Sequence, residues 1–306
     1  MKPVITITAN PCIDISAHVP ALFPDKKLRC STLKKDPGGG GINVSRVIHR
    51  FGGNTIAFFP AGGYTGDYFV QMLANEQVPF REVILAGETR ENIVITDDSS
   101  GLQYKFGMPG PVVSEAEYHE LLKAISLVKE ASFFVLSGSL AQGMPEVFFA
   151  EVIKIARKIQ APVVADCAGA VLTSALKESV YMIKPNLGEL ASLAGVNELD
   201  KHTAIDAAKQ VIGNKQAEVI IVSMGASGAL LVTEQIQEFI AAPVIKTKST
   251  VGAGDSMVAG IVFSLASGWG IEEAVKYGVA CGTAATINEG TALCMKADAD
   301  RLYQQM

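Results

Sequence analysis

Short apolar runs of strand length recur along the chain at Val4 to Ile7, Ile56 to Phe59, Phe133 to Leu136, Val163 to Ala165, Met182 to Ile183 and Val219 to Val222. Helical periodicity lies between them. After Gly41, residues Val44, Val47, Ile48 and Phe51 recur at i, i+3, i+4, i+7, and Ser114 with Glu117 forms a capping box ahead of Tyr118, Leu121, Leu122 and Ile125. Strands alternating with helices predict an α/β fold, a mostly parallel sheet covered by helices on both faces in three αβα layers.

Two stretches break that rhythm. Ile13, Ile15, Ala17 and Val19 alternate with Asp14, Ser16 and His18, the period of a strand with one wet face. Asn92 to Thr96 and Leu102 to Phe106 flank Asp97-Asp98-Ser99-Ser100-Gly101 and read as a hairpin. The two excursions, at about 12–36 and 89–108, are expected to pair into a small sheet inserted in a single domain spanning 1–306. Such a sheet would lie over the carboxyl ends of the main strands as a lid, where open α/β sheets bind ligands.

Composition narrows the function. The 306 residues are 49% hydrophobic and 19% charged with net charge -5, so the average surface repels a phosphate backbone and nucleic-acid binding is not expected. The segment MKPVITITANPC lacks the core of a secretory signal, and the longest charge-free runs are too short and too broken to span a bilayer. Cys12, Cys30, Cys167, Cys281 and Cys294 form no C-x-x-C pair and read as reduced thiols, which points to the cytoplasm.

The chemistry concentrates in a few segments. In Ser249-Thr-Val-Gly-Ala-Gly-Asp-Ser-Met-Val-Ala-Gly260 a glycine turn runs straight into an apolar helical pattern. The amides of Gly252, Ala253 and Gly254 would then open a helix N-terminus suited to a transferring phosphoryl group. Asp255, in the first turn, is placed to accept the proton of an attacking hydroxyl. The same residues also fit a tight turn followed by an ordinary first-turn acid. In Lys184-Pro-Asn-Leu-Gly-Glu189, Asn186 and Glu189 would face a magnesium ion or its water shell, or simply form a capping box. Pro37 to Asn43, with four consecutive glycines, lets the backbone approach a polar ligand, with Asn43 bonding sugar hydroxyls; a flexible linker is the plainer alternative. Lys26, Lys27, Arg29, Lys34 and Lys35 would answer an anionic substrate or form a solvated face. Ser223 to Gly228 follows a strand and reads equally as a nucleotide-lining loop or a hairpin turn.

No G-x-x-x-x-G-K-[ST], no G-x-G-x-x-G after the first strand and no G-x-S-x-G occurs, which excludes P-loop kinases and weakens dehydrogenases and serine hydrolases. The four histidines, His18, His49, His119 and His202, have no metal-ligand spacing. Taken together, PGGGGINVSRVIHRFGG, KPNLGEL and STVGAGDSMVAG, in this order, resemble the ribokinase-like or PfkB sugar kinases over essentially the whole chain. Within that family KLRC, FGMPG, SGSL and GTALC are similar to the phosphofructokinase and tagatose-phosphate kinase branch, in particular its minor bacterial 6-phosphofructokinases.

The resemblance implies ATP-dependent phosphorylation of a ketohexose phosphate, foremost fructose 6-phosphate, with tagatose 6-phosphate kinase and 1-phosphofructokinase as alternatives. A non-catalytic sugar- or nucleotide-binding protein is the alternative from another class. It also implies residue roles: Asp255 as base, Gly252 to Gly254 as anion hole, and Asn186 and Glu189 linked to Mg²⁺. Lys184, Ser223, Gly225 and Gly228 would line the ATP site. Asp14, Gly39 and Asn43 would hold sugar hydroxyls, and Lys27, Arg29, Arg90 and Ser139 the substrate phosphate. A monovalent cation such as K⁺ and a homodimer paired through the lid are further implications. Ala141 and Gln142 stand where the related SGSLPPG loop carries prolines.

Overall fold

The structure, a computed structural model, describes residues 2–31 and 33–306. Strand β1 (Val4–Ile7) enters the molecule, β2 (Cys12–Val19) and β3 (Lys34–Gly38) leave the main sheet, and α1 (Gly40–Arg50) returns to it. There follow β4 (Thr55–Gly62), α2 (Gly63–Asn75), β5 (Phe80–Leu85), β6 (Arg90–Asp97), β7 (Gln103–Phe106), α3 (Glu115–Ser126), β8 (Phe133–Ser137), α4 (Phe148–Lys158), β9 (Val163–Asp166) and α5 (Gly169–Leu176). The second half runs β10 (Val180–Ile183), α6 (Leu187–Ala194), α7 (Lys201–Gly213), β11 (Ala217–Ser223), β12 (Gly228–Val232), β13 (Gln237–Ala241), α8 (Ala253–Ala266), α9 (Ile271–Thr286) and α10 (Lys296–Tyr303).

Nine strands form the main sheet in the order β13-β12-β11-β10-β9-β8-β1-β4-β5, parallel from β11 to β5 with an antiparallel edge at β12 and β13. Every strand expected from the apolar runs is in it. Of the three strands not expected, β5 and β13 are partly solvent-facing, whereas Ala229 to Val232 of β12 is a buried apolar run that the sequence reading passed over. Pleating sends successive side chains to opposite faces. Ile5, Ile7, Phe134 and Leu136 therefore pack with helices α3 to α7, while Val4 and Val135 pack with α1, α8, α9 and α10. Both faces are buried, as in the expected αβα layering.

The excursions form a second sheet in the order β3-β2-β6-β7. It is mixed rather than a simple hairpin extension, because β2 runs parallel to β6 (Asp14↔Asn92) while β3 and β7 flank them antiparallel. A third apolar cluster of Ile13, Ile42, Phe59, Phe69 and Leu73 joins its root to α1, α2 and β4. Its outer strands dock on loops beside α8. Lys105 Nζ donates to Thr250 Oγ1 at 3.3 Å, and Thr291 Oγ1 donates to Asp36 Oδ2 at 2.5 Å.

The glycine segment is not a linker. It ends β3, and its backbone is gripped from α1: buried Arg46 donates to the Pro37 carbonyl at 2.8 Å and to Glu76 Oε1 and Oε2 at 2.6 and 2.8 Å, with Asp36 3.6 Å away. Arg46→Ala strips Glu76 of its cation and leaves Asp36 with Lys34 alone. Stability should fall by about 3 kcal/mol, the lower end for a broken buried pair because Glu76 is 33% exposed and can rehydrate. Urea unfolding should show the loss as a lower midpoint; an unchanged midpoint would show that the grip is not needed.

Candidate active site

The parallel strands deliver their carboxyl ends to one edge, beneath the small sheet. β9 ends in Asp166, and Lys184 follows β10, so neighbouring strands place the pair side by side with Nζ 3.1 Å from Asp166 Oδ1. Lys184 is 7% exposed. Burial works to discharge its ammonium, but Asp166, Asp255 and Glu189 together outweigh burial and hold its pKa above the ordinary lysine value.

α8 begins at the same edge. Gly252 is its N-cap in the left-handed region (φ 73°), and no side chain caps the helix, so its first amides keep their donors for a ligand. Asp255 sits in the first turn but does not turn back to cap. Its Oδ2 accepts from Asn43 Nδ2 at 2.8 Å. α6 shows the opposite outcome from the same spacing. There Glu189 N donates to Asn186 Oδ1 at 2.8 Å and Asn186 N to Glu189 Oε2 at 2.9 Å, a closed capping box. The capping box is closed in α6 and absent from α8.

Close contacts explain the small residues here. A Cβ on Gly40 would lie 2.0 Å from Ser137 Oγ and 3.3 Å from Asp255 Oδ1, and one on Gly38 would lie 2.1 Å from Asp14 Oδ2, whereas one on Gly254 would make only ordinary contact with Lys184 Nζ, 3.5 Å away. Together with the Asn43–Asp255 hydrogen bond, these approaches gather Asp14, Asn43, Lys184, Asp255 and the Gly252–Gly254 turn at one edge of the sheet. Gly39, at φ 110°, makes the turn from β3 into α1. Asp255 is pushed up to about 6, by burial first and then by the charge of Asp166, against the opposing pull of Asn43 and Lys184.

Other predicted residues are less tightly gathered. Ser223 is tied to the Asn186 segment, its N–H donating to the Pro185 carbonyl at 2.9 Å, while Gly225 and Gly228 make the turn of an antiparallel hairpin into β12. Gly228 is needed for that hairpin, since a Cβ there would lie 2.0 Å from the Ile240 carbonyl oxygen. Arg90, at the root of the small sheet, donates from Nη1 to the Met108 carbonyl (3.2 Å) and from Nη2 to the Asn10 carbonyl (2.9 Å), and its buried Nε has no partner among the described residues. Ser139 is exposed on the loop after β8, where Gln142 accepts the Val113 N–H at 2.7 Å and Ala141 packs into the core in place of the related prolines. Lys27 and Arg29 are exposed on the β2–β3 connection and make no ion pair among the described residues, whereas Lys34 and Lys35 pair with Asp36 and Glu91. Sequence reasoning missed Asp166, Cys12 and Asn92 as site residues; only the place of Asp166 at the end of a strand could have flagged it.

Below the ordinary carboxyl range, Asp255 is protonated in both folded and unfolded chains. Between there and about pH 6 only the folded protein keeps the proton, so stability is lost as pH rises through that window. Asp255→Asn removes the ionisation. It should melt at a higher temperature than the parent at pH 7.5, with the difference closing below pH 4, as followed by calorimetry; a lower melting temperature at pH 7.5 would contradict this electrostatic reading.

Residues 3–298 match the family pattern described as pfkB family carbohydrate kinase. The chain is 37% identical over 304 residues to ATP-dependent 6-phosphofructokinase isozyme 2 of Escherichia coli, covering 99% of this chain and 98% of that protein. Solved structures of phosphofructokinase-2 from Escherichia coli superpose over 100% of this chain and 99% of theirs: the complex with potassium at 37% identity and TM-score 0.95, the complex with fructose-6-phosphate at 35% and 0.94, and a tetrameric inhibited form at 36% and 0.93. Ribokinase from Thermotoga maritima, 18% identical with TM-score 0.77 over 99% of this chain and 100% of that one, shares the fold. No helix among the described residues is long and apolar enough to cross a membrane. A ribokinase-like αβα fold with a small lid sheet, a glycine turn opening α8 and an end-to-end family match make this chain a member of the pfkB family of carbohydrate kinases.

Proposed function

We propose that the chain transfers the γ-phosphoryl group of ATP to a hydroxyl of fructose 6-phosphate, giving fructose 1,6-bisphosphate and ADP. The observation that carries the reading is Asp255 beside an uncapped helix N-terminus, with its carboxyl tuned to about 6, together with the match to a 6-phosphofructokinase over nearly the whole of both chains. Asp255 takes the proton of the sugar hydroxyl as its oxygen attacks the γ-phosphorus. The bond to the departing ADP oxygen breaks in line, and the amides of Gly252, Ala253 and Gly254 receive the charge on the transferring group. A base near pH 6 is ionised at neutral pH yet still takes a proton. A pure binding protein has no use for such a group, which weighs against the non-catalytic reading.

Asp14, Gly39 and Asn43 hold the sugar hydroxyls in this reading, and Lys27, Arg29, Arg90 and Ser139 surround its phosphate. Lys184, Ser223, Gly225 and Gly228 line the nucleotide. Mg²⁺ arriving with ATP would supply charge neutralisation at the phosphates, with Asn186 and Glu189 the residues that would hold it or its water shell. Mg²⁺ beside phosphates would need only one or two carboxylates plus water from the protein. Glu189 keeps Oε1 outside its capping box for this role, with Asn186 beside it. The enzyme would act in the cytoplasm, consistent with five free cysteines. A second copy would cover the lid's outer face, where Tyr104 and Phe106 alternate outward on β7 and are 41% and 48% exposed; sedimentation velocity separates dimer from monomer or tetramer.

An ADP-release assay against fructose 6-phosphate, tagatose 6-phosphate, fructose 1-phosphate and ribose, run with K⁺ and with Na⁺, tests substrate and cation together. Fructose 6-phosphate should give the highest kcat/KM; preference for another sugar would replace the assignment. Asp255→Asn should lower turnover by roughly 10²–10⁴, the usual worth of a positioned base.

Arg90→Ala should weaken fructose 6-phosphate by about 10- to 100-fold with little change in ATP, the worth of a charge-assisted phosphate contact. Lysine at 90 should recover part of the loss, since it keeps a point charge but not the fork. An unchanged KM for fructose 6-phosphate would place the phosphate elsewhere.

A further inference from the structure

Asp14 is held asymmetrically. Its Oδ1 accepts from Asn92 Nδ2 at 3.2 Å and from Cys12 Sγ at 3.3 Å, and the same Asn92 Nδ2 lies 3.1 Å from Cys12 Sγ. Its Oδ2 accepts no hydrogen bond from the described residues and occupies the space over Gly38 that a side chain there would fill, 2.1 Å from a Cβ built at that position. One oxygen is therefore tethered by two donors, while the other, packed over Gly38, keeps its acceptor capacity unused among the described residues. Parallel pairing of β2 with β6 sets Asn92 opposite Asp14 and Arg90 opposite Cys12.

Asn92 has a second contact. Its Oδ1 accepts the N–H of Met108 at 3.2 Å, while Arg90 Nη1 donates to the Met108 carbonyl, so both polar groups of that residue are fastened to β6. The orientation of Asp14 is thus coupled to the segment that follows β7. A carboxylate free to rotate about its last bond would lose this order, since the torsion is broad and roughly two-fold.

We propose that Asn92 and Cys12 are positioning residues for sugar recognition, fixing Asp14 so that Oδ2 alone is offered to substrate hydroxyls. The inference rests on the reading of Asp14 as a sugar-binding residue. Its physical content is preorganisation: an acceptor already aimed costs less to order when the sugar binds. Burial holds the Asp14 carboxyl above its ordinary pKa, and the same two donors work against that rise. Arg90 helps them, and the charges of Asp36 on β3 and Asp255 on α8 oppose them.

Calorimetric titration of the full chain with fructose 6-phosphate in the absence of ATP, from pH 5 to 8, tests this alongside steady-state KM values and melting temperatures. Asn92→Ala and Cys12→Ala should each weaken fructose 6-phosphate about 5- to 30-fold with the KM for ATP changed less than twofold, and should move the acid limb of binding to higher pH than in the parent. Cys12→Ser, which keeps a donor, should restore most of the affinity. Equal losses for both substrates, or weakened binding with an unmoved acid limb and no rescue by serine, would reduce the two residues to general support and overturn the proposal. Asp14→Asn is the separate control. If that change leaves fructose 6-phosphate binding intact, the sugar role of Asp14 fails and the proposal with it; if it weakens binding while Asn92→Ala and Cys12→Ala do not, only the proposal fails.

Discussion

An ionised carboxylate withdrawn from water is costly, and Asp255 is withdrawn from water in the company of two others, Asp166 and Asp14. Three features offset that cost. Lys184 supplies a buried cation, Asn43 a direct hydrogen bond, and α8 the unpaired amides and positive end of a helix dipole. Each comes from a different element, so the site exists only when β9, β10, α1 and α8 reach the same edge of the sheet. The balance leaves the carboxyl near 6 rather than fully paired. Complete neutralisation by a salt bridge would have lowered its pKa and weakened it as a proton acceptor.

The close approaches around this carboxylate account for residues that carry no chemistry. Gly40 and Gly38 are there because Ser137, Asp255 and Asp14 occupy the volume that side chains would need. Arg46 then holds the glycine segment from below through the Pro37 carbonyl and two acids. Backbone freedom is useful at such a place only if something else removes the disorder that comes with it.

The small sheet serves the same edge by the alternation of its strands. On β7, Gln103 and Lys105 face the loop before α8 and touch Ser249 and Thr250, while Tyr104 and Phe106 face outward. Asp36, on the same face at the opposite edge strand β3, reaches Thr291. A strand period of two lets one short element seal the ligand side and present an apolar surface on the other.

Periodicity and motif order alone determined the layered α/β class, six of the main-sheet strands, the two excursions and the glycine turn ahead of Asp255, because these depend on local pattern and on backbone conformations few residues tolerate. They could not choose between an acid that caps its own helix and one that leaves the cap open. Asn186-x-x-Glu189 and Gly252-x-x-Asp255 share the spacing, but Gly252 has no side chain to close a box, and Asp255 instead accepts from Asn43 of α1, 212 residues away in sequence. Asp166 beside Lys184, and Cys12 with Asn92 around Asp14, were illegible for the same reason: strand pairing creates those contacts, and no short stretch of sequence contains both partners.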